Sequence, residues 1–314
     1  MSPASTGPKS TGVDVEVGGR RLKLSNLDKV LYPEAGFTKG QVIDYYTRIA
    51  PVLVPHLEGR PLTLKRYPNG VDSQFFYEKN CPKHRPPWVA TTPIYAGRKN
   101  ELMDYCVAND LPTLVWMANL AALELHPSLS RAPEIQRPTM MVFDLDPGPP
   151  AALLECTRVA LLLKEVLDGL GLQSFPKTSG SKGLQVYVPL NTAVTYDDTK
   201  PFAHALAKML EAGHPQQVLS LMKKELRTGK VFIDWSQNDE HKTTVSIYSL
   251  RARPRPTVST PVTWDEVAGA AEQGDASALV FEAPHVIERV AEHGDLSAPL
   301  LSLEQHLPEP PPTA

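Results

Sequence analysis

The regular part of the hydrophobic pattern in this chain begins at position 139. Thr139 to Phe143 is a short apolar, β-favouring run between Pro138 and Pro147, which predicts a strand ending in Asp144-Leu145-Asp146. Beyond it the apolar spacing becomes helical over about 151–170, with Gly171 as the stop. Short strands are expected around 173–175 and 184–188, a helical region over roughly 197–226 interrupted near Gly213 to Pro215, and a last strand over 230–235. The order β-α-β-β-α-β is that of a ferredoxin-like (RRM-like) module. Its first and fourth strands are antiparallel neighbours at the sheet's centre and edge, so Asp234 is expected beside Asp144 and Asp146.

The first half of the chain has shorter, mixed rhythms. Residues 13–24 alternate around Gly18-Gly19, a hairpin pattern. Thr38-Lys39-Gly40-Gln41 is a capping box opening a helix on which Val42, Tyr45, Ile49 and Val52 recur at helical spacing. Residues 62–67 predict a strand carrying Lys65 and Arg66. Asp110 can cap a helix running to 125, with Pro112 in its first turn; Leu114, Val115, Trp116, Met117 and Leu120 make it apolar nearly all round and hence buried. The expectation is an α+β chain: a tail over 1–12, one domain over 13–304 and a second tail over 305–314. That domain divides into an N-terminal α/β module (13–137), with the RRM-like catalytic module and a C-terminal part packed against it (138–304).

Composition narrows the classes. With 314 residues, 42% hydrophobic and 21% charged, the chain can bury a proper core. A net charge of -3 argues against indiscriminate coating of nucleic acid but leaves room for a local basic groove. The 31 prolines imply many short elements. Cys81, Cys106 and Cys156 form no CxxC pair and suggest no disulfide framework, which suits a reducing compartment. Cys81 and His84 have half of a zinc-site spacing with no second half, so a core or loop cysteine is expected. No signal-peptide core and no membrane-length apolar run is visible, and a soluble, cytoplasmic protein is expected.

The chemistry starts at Asp144 and Asp146. Alternation along a strand points both carboxylates to one side, where they repel unless a divalent cation lies between them. On this stretch alone, a strand-ending Asp-Pro-Gly turn explains the pair as well. A third carboxylate, Asp234, favours the metal site, and three carboxylates on adjacent strands suit Mg²⁺ or Mn²⁺ bound with phosphate oxygens. Thr178-Ser179-Gly180-Ser181-Lys182-Gly183 offers hydroxyls, pliable backbone and a positive charge for a triphosphate. It is not a Walker A loop, since it lacks that spacing and a strand follows it; by itself such a loop is more often a hairpin turn, and the three acidic residues make a triphosphate cradle the better account. Arg251 and Arg253, after a predicted strand over 244–249, suit phosphate contacts or a solvated surface. Phe75, Phe76 and Tyr77 could stack on a base or lie in a core. Lys23, Asn26, Lys29 and Lys39 form a basic group near a helix start, suited to an anion or to plain solvation.

Four ordered motifs, Phe143-Asp144-Leu145-Asp146-Pro147-Gly148, Thr178 to Leu184, Val231 to Asn238 and Tyr248-Ser249-Leu250-Arg251-Ala252, together resemble the polymerase domains of bacterial ATP-dependent ligase D proteins, of the archaeo-eukaryotic primase superfamily. The likeness covers about 15–299, which leaves no room for a ligase or nuclease module and suggests a stand-alone, monomeric relative. The resemblance implies that Asp144, Asp146 and Asp234 bind a pair of catalytic metals, Mn²⁺ favoured over Mg²⁺, and that Ser179, Lys182 and Arg251 hold the triphosphate. It implies that His126 is an active-site histidine, that Phe76 packs near nucleotide and template, and that Asn26, Lys29 and Lys39 grip the 5′-phosphate across a DNA gap. The implied partners are gapped or broken DNA, NTP or dNTP, and a separate ATP-dependent ligase. The implied work is gap filling, with ribonucleotides preferred and possible primase ability, in end joining or excision repair on the chromosome. Gln185 stands in the nucleotide site where these enzymes usually have His, and Ser128 stands where they have Trp. Two other readings of the acidic residues are an aspartate-nucleophile phosphatase, disfavoured by Pro147, and a non-catalytic DNA-end binding protein.

Overall fold

The computed structural model describes residues 12–96 and 101–308. Strands β1 (Val13–Val17) and β2 (Arg20–Leu24) form the expected hairpin, and β3 (Val30–Tyr32) and β4 (Phe37–Thr38) make a second small ribbon. Helix α1 (Lys39–Leu57) opens on the capping box: Gln41 N donates to Thr38 Oγ1 at 3.3 Å and Thr38 N to Gln41 Oε1 at 2.8 Å. The N-terminal sheet contains β5 (Leu62–Arg66), β6 (Phe76–Glu78), β7 (Thr91–Ala96), β8 (Glu101–Cys106) and, after α2 (Leu111–Asn119), β9 (Ala122–Pro127).

Two expectations fail here. Asp110 caps α2 as expected, accepting from Thr113 N at 2.9 Å, but the helix ends at Asn119 rather than 125. Leu120 and Ala121 (φ 58°) turn the chain, and Ala122–Pro127 pairs with β5 instead. Its alternation decides the period: Leu123 and Leu125 enter the core, while Glu124 and His126 share the opposite face with their cross-strand partners Lys65 and Thr63. The cysteines also depart from expectation, since Cys81 and Cys106 are joined in a disulfide. Cys81 N donates to Asp104 O at 2.6 Å, which lays the segment along β8, so cysteine usage no longer argues for a reducing compartment.

The second sheet is the predicted ferredoxin-like module. It comprises β10 (Met140–Pro147), α3 (Leu153–Gly169), β11 (Phe175–Thr178), β12 (Leu184–Pro189), α4 (Tyr196–Gly213), β13 (Val218–Leu219) and β14 (Val231–Asp234). The strand order is β11-β12-β10-β14-β13, with β10 antiparallel to both neighbours. The helical region expected to reach 226 stops at Gly213, and β13 pairs parallel to β14, so the fourth strand of the module is not the sheet's edge. The strand expected over 244–249 does not form. The amides of Thr244 and Ser246 donate to Pro127 and Leu125 carbonyls, and Tyr248 then turns away at φ 61°.

Alternation along β10 places the site. Met141, Phe143 and Leu145 pack with α3 and α4 in one hydrophobic cluster; Met140 and Val142 face the other way, into the core of the N-terminal module. Asp144 and Asp146 continue the second row and so point into the seam between the modules. Helix α5 (Trp264–Gln273) packs on α3, and α6 (Ala283–His293) packs on α1. At the far end, Gln305 belongs to the body rather than to a tail. Its Nε2 donates to Gln173 O (3.0 Å) and Pro189 O (2.8 Å), and its Oε1 accepts from Gln173 N at 2.7 Å.

Asn238, fully buried, extends the ladder of β10. Its Oδ1 accepts from Val142 N at 2.9 Å, and its Nδ2 donates to Val142 O at 2.8 Å and Trp235 O at 2.9 Å. Asn238→Ala strands two buried backbone groups, Val142 N and O, since Trp235 O still accepts from the Asn238 amide, and is expected to cost about 2–4 kcal/mol, read from the urea midpoint. An unchanged midpoint would show that water replaces the amide.

Candidate active site

Two sheet faces enclose one cleft of about 550 Å³, lined by Thr63, Tyr77, Lys79 and His126 from one side and by Asp144, Asp146, Gln185 and the 179–183 loop from the other, with Arg251 between. Register explains the second face: Asp144 is paired directly with Gln185 on β12 and with Asp234 on β14. Burial and then the charge of Asp146 push the Asp144 carboxyl up to about 7, and burial and Asp234 raise Asp146. Carboxylates so crowded fit a hard divalent cation in their donor chemistry.

Among the described residues, however, no three His, Cys, Asp or Glu side chains are gathered to hold one ion as they stand. The reason is Asp234, whose carboxylate faces its own turn. Its Oδ1 accepts from Ser236 N at 3.1 Å and Ser236 Oγ at 2.5 Å, and its Oδ2 from Gln237 Nε2 at 2.8 Å. Asp144 and Asp146 are the pair presented to the cleft, and Arg227 lies 3.8 Å from Asp146.

The 179–183 loop is stiff. Ser179 Oγ accepts from Ser181 N (3.2 Å) and Gly183 N (3.1 Å), and Thr257 Oγ1 donates to Gly180 O at 2.6 Å. Two amides expected to cradle phosphate are therefore already used, and the loop offers Lys182 instead. Arg251 donates through Nη1 to Ser179 O, which ties it to the same loop. Gln185 is buried, its Nε2 donating to Thr244 Oγ1 (3.1 Å) and its Oε1 accepting from Tyr187 OH (3.3 Å). It is neutral where a histidine could carry charge.

Phe76 stands outside the cleft lining, with the Arg66 guanidinium 5.0 Å above its ring; Tyr77 lines the cleft in its place. Asn26, Lys29 and Lys39 gather away from the cleft lining. Asn26 adopts φ 54°, Lys29 Nζ donates to Asn69 Oδ1 at 2.8 Å, and Lys39 Nζ donates to Ser25 O at 2.7 Å. Burial, then Lys29 and Arg66, lower the Lys39 ammonium to about 8, so this spot repels further positive charge and favours an anion. Arg253 does not line the cleft.

Sequence reasoning missed Glu124 and Lys177. Glu124, on the face that carries His126, accepts from His126 Nε2 at 2.9 Å and lies 3.5 Å from both Lys65 Nζ and Arg251 Nε. Burial alone would raise its carboxyl, but the hydrogen bond from His126 and the charges of Arg251, His126 and Lys65 outweigh burial and hold it well below the ordinary carboxylate range. Lys177, cross-strand from Gln185 and fully buried, is pushed far down by burial, opposed by Asp144. The readable signal for both was period-2 alternation onto the face carrying Asp144 or His126.

The fold is that of a polymerase domain. The chain superposes on a structure described as the polymerase domain from Mycobacterium tuberculosis Ligase D in complex with DNA with a TM-score of 0.84 and 40% identity, covering 91% of this chain and 99% of the other. The family described as the LigD primase-polymerase domain matches residues 38–297, and this chain belongs to it. It is 43% identical over 282 residues to the multifunctional non-homologous end joining protein LigD of Mycolicibacterium smegmatis, and 33% identical over 275 residues to the bifunctional LigD of Bacillus subtilis. These matches cover 89% and 87% of this chain, but only 36% and 43% of the relatives. The chain thus spans well under half the length of these curated relatives.

Proposed function

We propose that this domain adds nucleotides, ribonucleotides preferred, to a primer 3′-OH at a short DNA gap or break that bears a 5′-phosphate. The observation that carries this reading is the shared cleft: Asp144 and Asp146 open onto the same space as Lys182 and Arg251. Asp144 and Asp146, joined by Asp234 if its carboxylate exchanges Ser236 and Gln237 for the ion, would hold Mn²⁺ or Mg²⁺ as a pair of ions, which would lower the pKa of the 3′-OH and neutralise leaving charge. Lys182 and Arg251 would clamp the triphosphate in line with the primer, so that the 3′-oxygen displaces pyrophosphate from the α-phosphorus. Ser179 would brace the loop, and His126 and Gln185 would border the nucleotide. Phe76 and Tyr77 offer exposed rings for a base. The modules at 13–137 and 138–304 would act as one unit, a monomer in the cytoplasm, on DNA that a ligase then seals.

The test is a labelled primer on a gapped duplex with Mn²⁺ and either ribo- or deoxynucleotides. Templated extension supports the proposal; binding without extension supports the second reading, a DNA-end binding protein, which the turned-away carboxylate of Asp234 favours. Lys29→Ala is expected to weaken binding to a 5′-phosphorylated gap by about three- to tenfold, read by fluorescence anisotropy, with little change on the unphosphorylated duplex. Equal loss on both would count against a 5′-phosphate pocket at Asn26, Lys29 and Lys39.

A further inference from the structure

Glu124 has no part in the reaction as proposed, yet its carboxylate is the meeting point of the cleft's cations. His126 Nε2 donates to it at 2.9 Å, Ala252 N donates at 3.0 Å, and Lys65 and Arg251 each approach within 3.5 Å. We infer that Glu124 is a positioning residue, whose buried charge fixes the ring of His126 and the guanidinium of Arg251 in the orientation that receives the nucleotide; this rests on the proposed reading of the cleft.

The chemistry of a carboxylate supports the assignment. An ionised carboxylate only accepts hydrogen bonds, so a proton must sit on His126 Nε2; in the neutral ring, which burial favours, Nδ1 is then the acceptor. Arg251 lies between two acceptors: its Nη1 donates to the Ser179 carbonyl, and its Nε forms an ion pair with Glu124 at 3.5 Å without a hydrogen bond, so the carboxylate draws the guanidinium by charge toward its own side of the 179–183 loop. The backbone around it is equally fixed. Leu125 N donates to Ser249 Oγ at 2.9 Å, Leu250 N to Tyr46 OH at 3.1 Å, and Tyr32 OH to Arg251 O at 3.1 Å. Lys65 carries the link onward, its ammonium lying 4.4 Å from the Phe75 ring centre and 5.7 Å from that of Tyr77. A charge so enclosed persists only because several donors converge on it, and the same convergence orders those donors.

Glu124→Gln tests this, because it keeps the side-chain shape while offering two donors and one acceptor to groups that all donate. Steady-state extension is expected to lose about 10–100-fold in kcat/KM for the nucleotide, mostly through KM. Affinity for 5′-phosphorylated gapped DNA should stay within about twofold, since those contacts are made elsewhere. ¹⁵N-histidine NMR of the full chain, with His126 assigned through His126→Asn, should show the Nε2–H tautomer in the parent and its loss in the variant. An unchanged KM together with an unchanged tautomer would overturn the inference. Equal loss of nucleotide and DNA affinity would also overturn it, by marking a folding role. If the parent chain extends no primer, the polymerase reading fails, and the histidine signature still decides the role of Glu124.

Discussion

Primer extension by Asp144→Ala is expected to fall by about 10³-fold or more, with gapped-DNA binding retained. Asp144 sits mid-sheet, opposite both Gln185 and Asp234, at the point where the two sheet faces converge. No other side chain in that register offers a charged oxygen to the cleft except Asp146, one alternation further along. Extension retained at parental levels would sink the metal assignment. Asp144→Asn adds a second, independent readout. The folded carboxyl is raised to about 7 from an ordinary 3.8 by burial and by Asp146, so the fold binds this proton more tightly than the unfolded chain does. Stability is accordingly lost as pH rises from about 4 through about 7, and above that the whole repulsion is present. Asn cannot ionise, so at pH 8 without divalent ions Asp144→Asn should melt a few degrees above the parent, and the difference should shrink as the pH falls toward 5. A variant that is inactive yet more stable is the signature of a site built for charge that the protein alone does not neutralise. A variant that melts with the parent at pH 8 would remove the repulsion from the argument.

What could be read in advance followed from strong local period. The run ending in Asp144-Leu145-Asp146 could be placed because prolines bound it and a turn residue follows, and strand order then brought in Asp234. The capping box at Thr38 is a purely local hydrogen-bond pattern, and it formed as written. The α2–β9 boundary was lost because an all-round apolar helix runs straight into a strand, and Leu123 and Leu125 satisfy either period until β5 pairs with them. Glu124 was invisible for a different reason. Its partners lie at 65, 126, 251 and 252, so its importance exists only after the two modules meet. The orientation of Asp234 was equally out of reach: strand pairing predicts which residues are neighbours, but Ser236 and Gln237 decide where the carboxylate points. The Cys81–Cys106 bridge joins positions 25 apart that come side by side only where the segment after β6 lies along β8.

Gly183→Ala should damage both stability and catalysis, and its reason is steric rather than chemical. A Cβ at this position would lie 2.1 Å from the carbonyl oxygen of Leu145, the residue between the two cleft aspartates, and 3.4 Å from Pro147 Cδ. Leu145 is on the central strand, paired with Leu184 on one side and Ile233 on the other, so its carbonyl cannot retreat. The loop must move instead. Such overpacking costs about 1–3 kcal/mol. The displaced loop also loses the Gly183 N to Ser179 Oγ bond (3.1 Å) and the Ser179 N to Gly183 O bond (2.9 Å), and with them the register of Lys182 and Arg251 against Asp144. Since a misplacement of about 1 Å costs on the order of 10²-fold, extension should drop by about that factor, with a raised KM for the nucleotide. Gly274→Ala is the control. That glycine ends α5 at φ 68°, and a methyl group added there would meet nothing within 4 Å, so alanine should cost about 1 kcal/mol and leave KM unchanged. If Gly183→Ala keeps the parental KM while losing stability, the loop's contact with β10 is architectural only. If both glycine variants lose extension in proportion to stability, the cleft is no more sensitive to this contact than to general loosening of the fold.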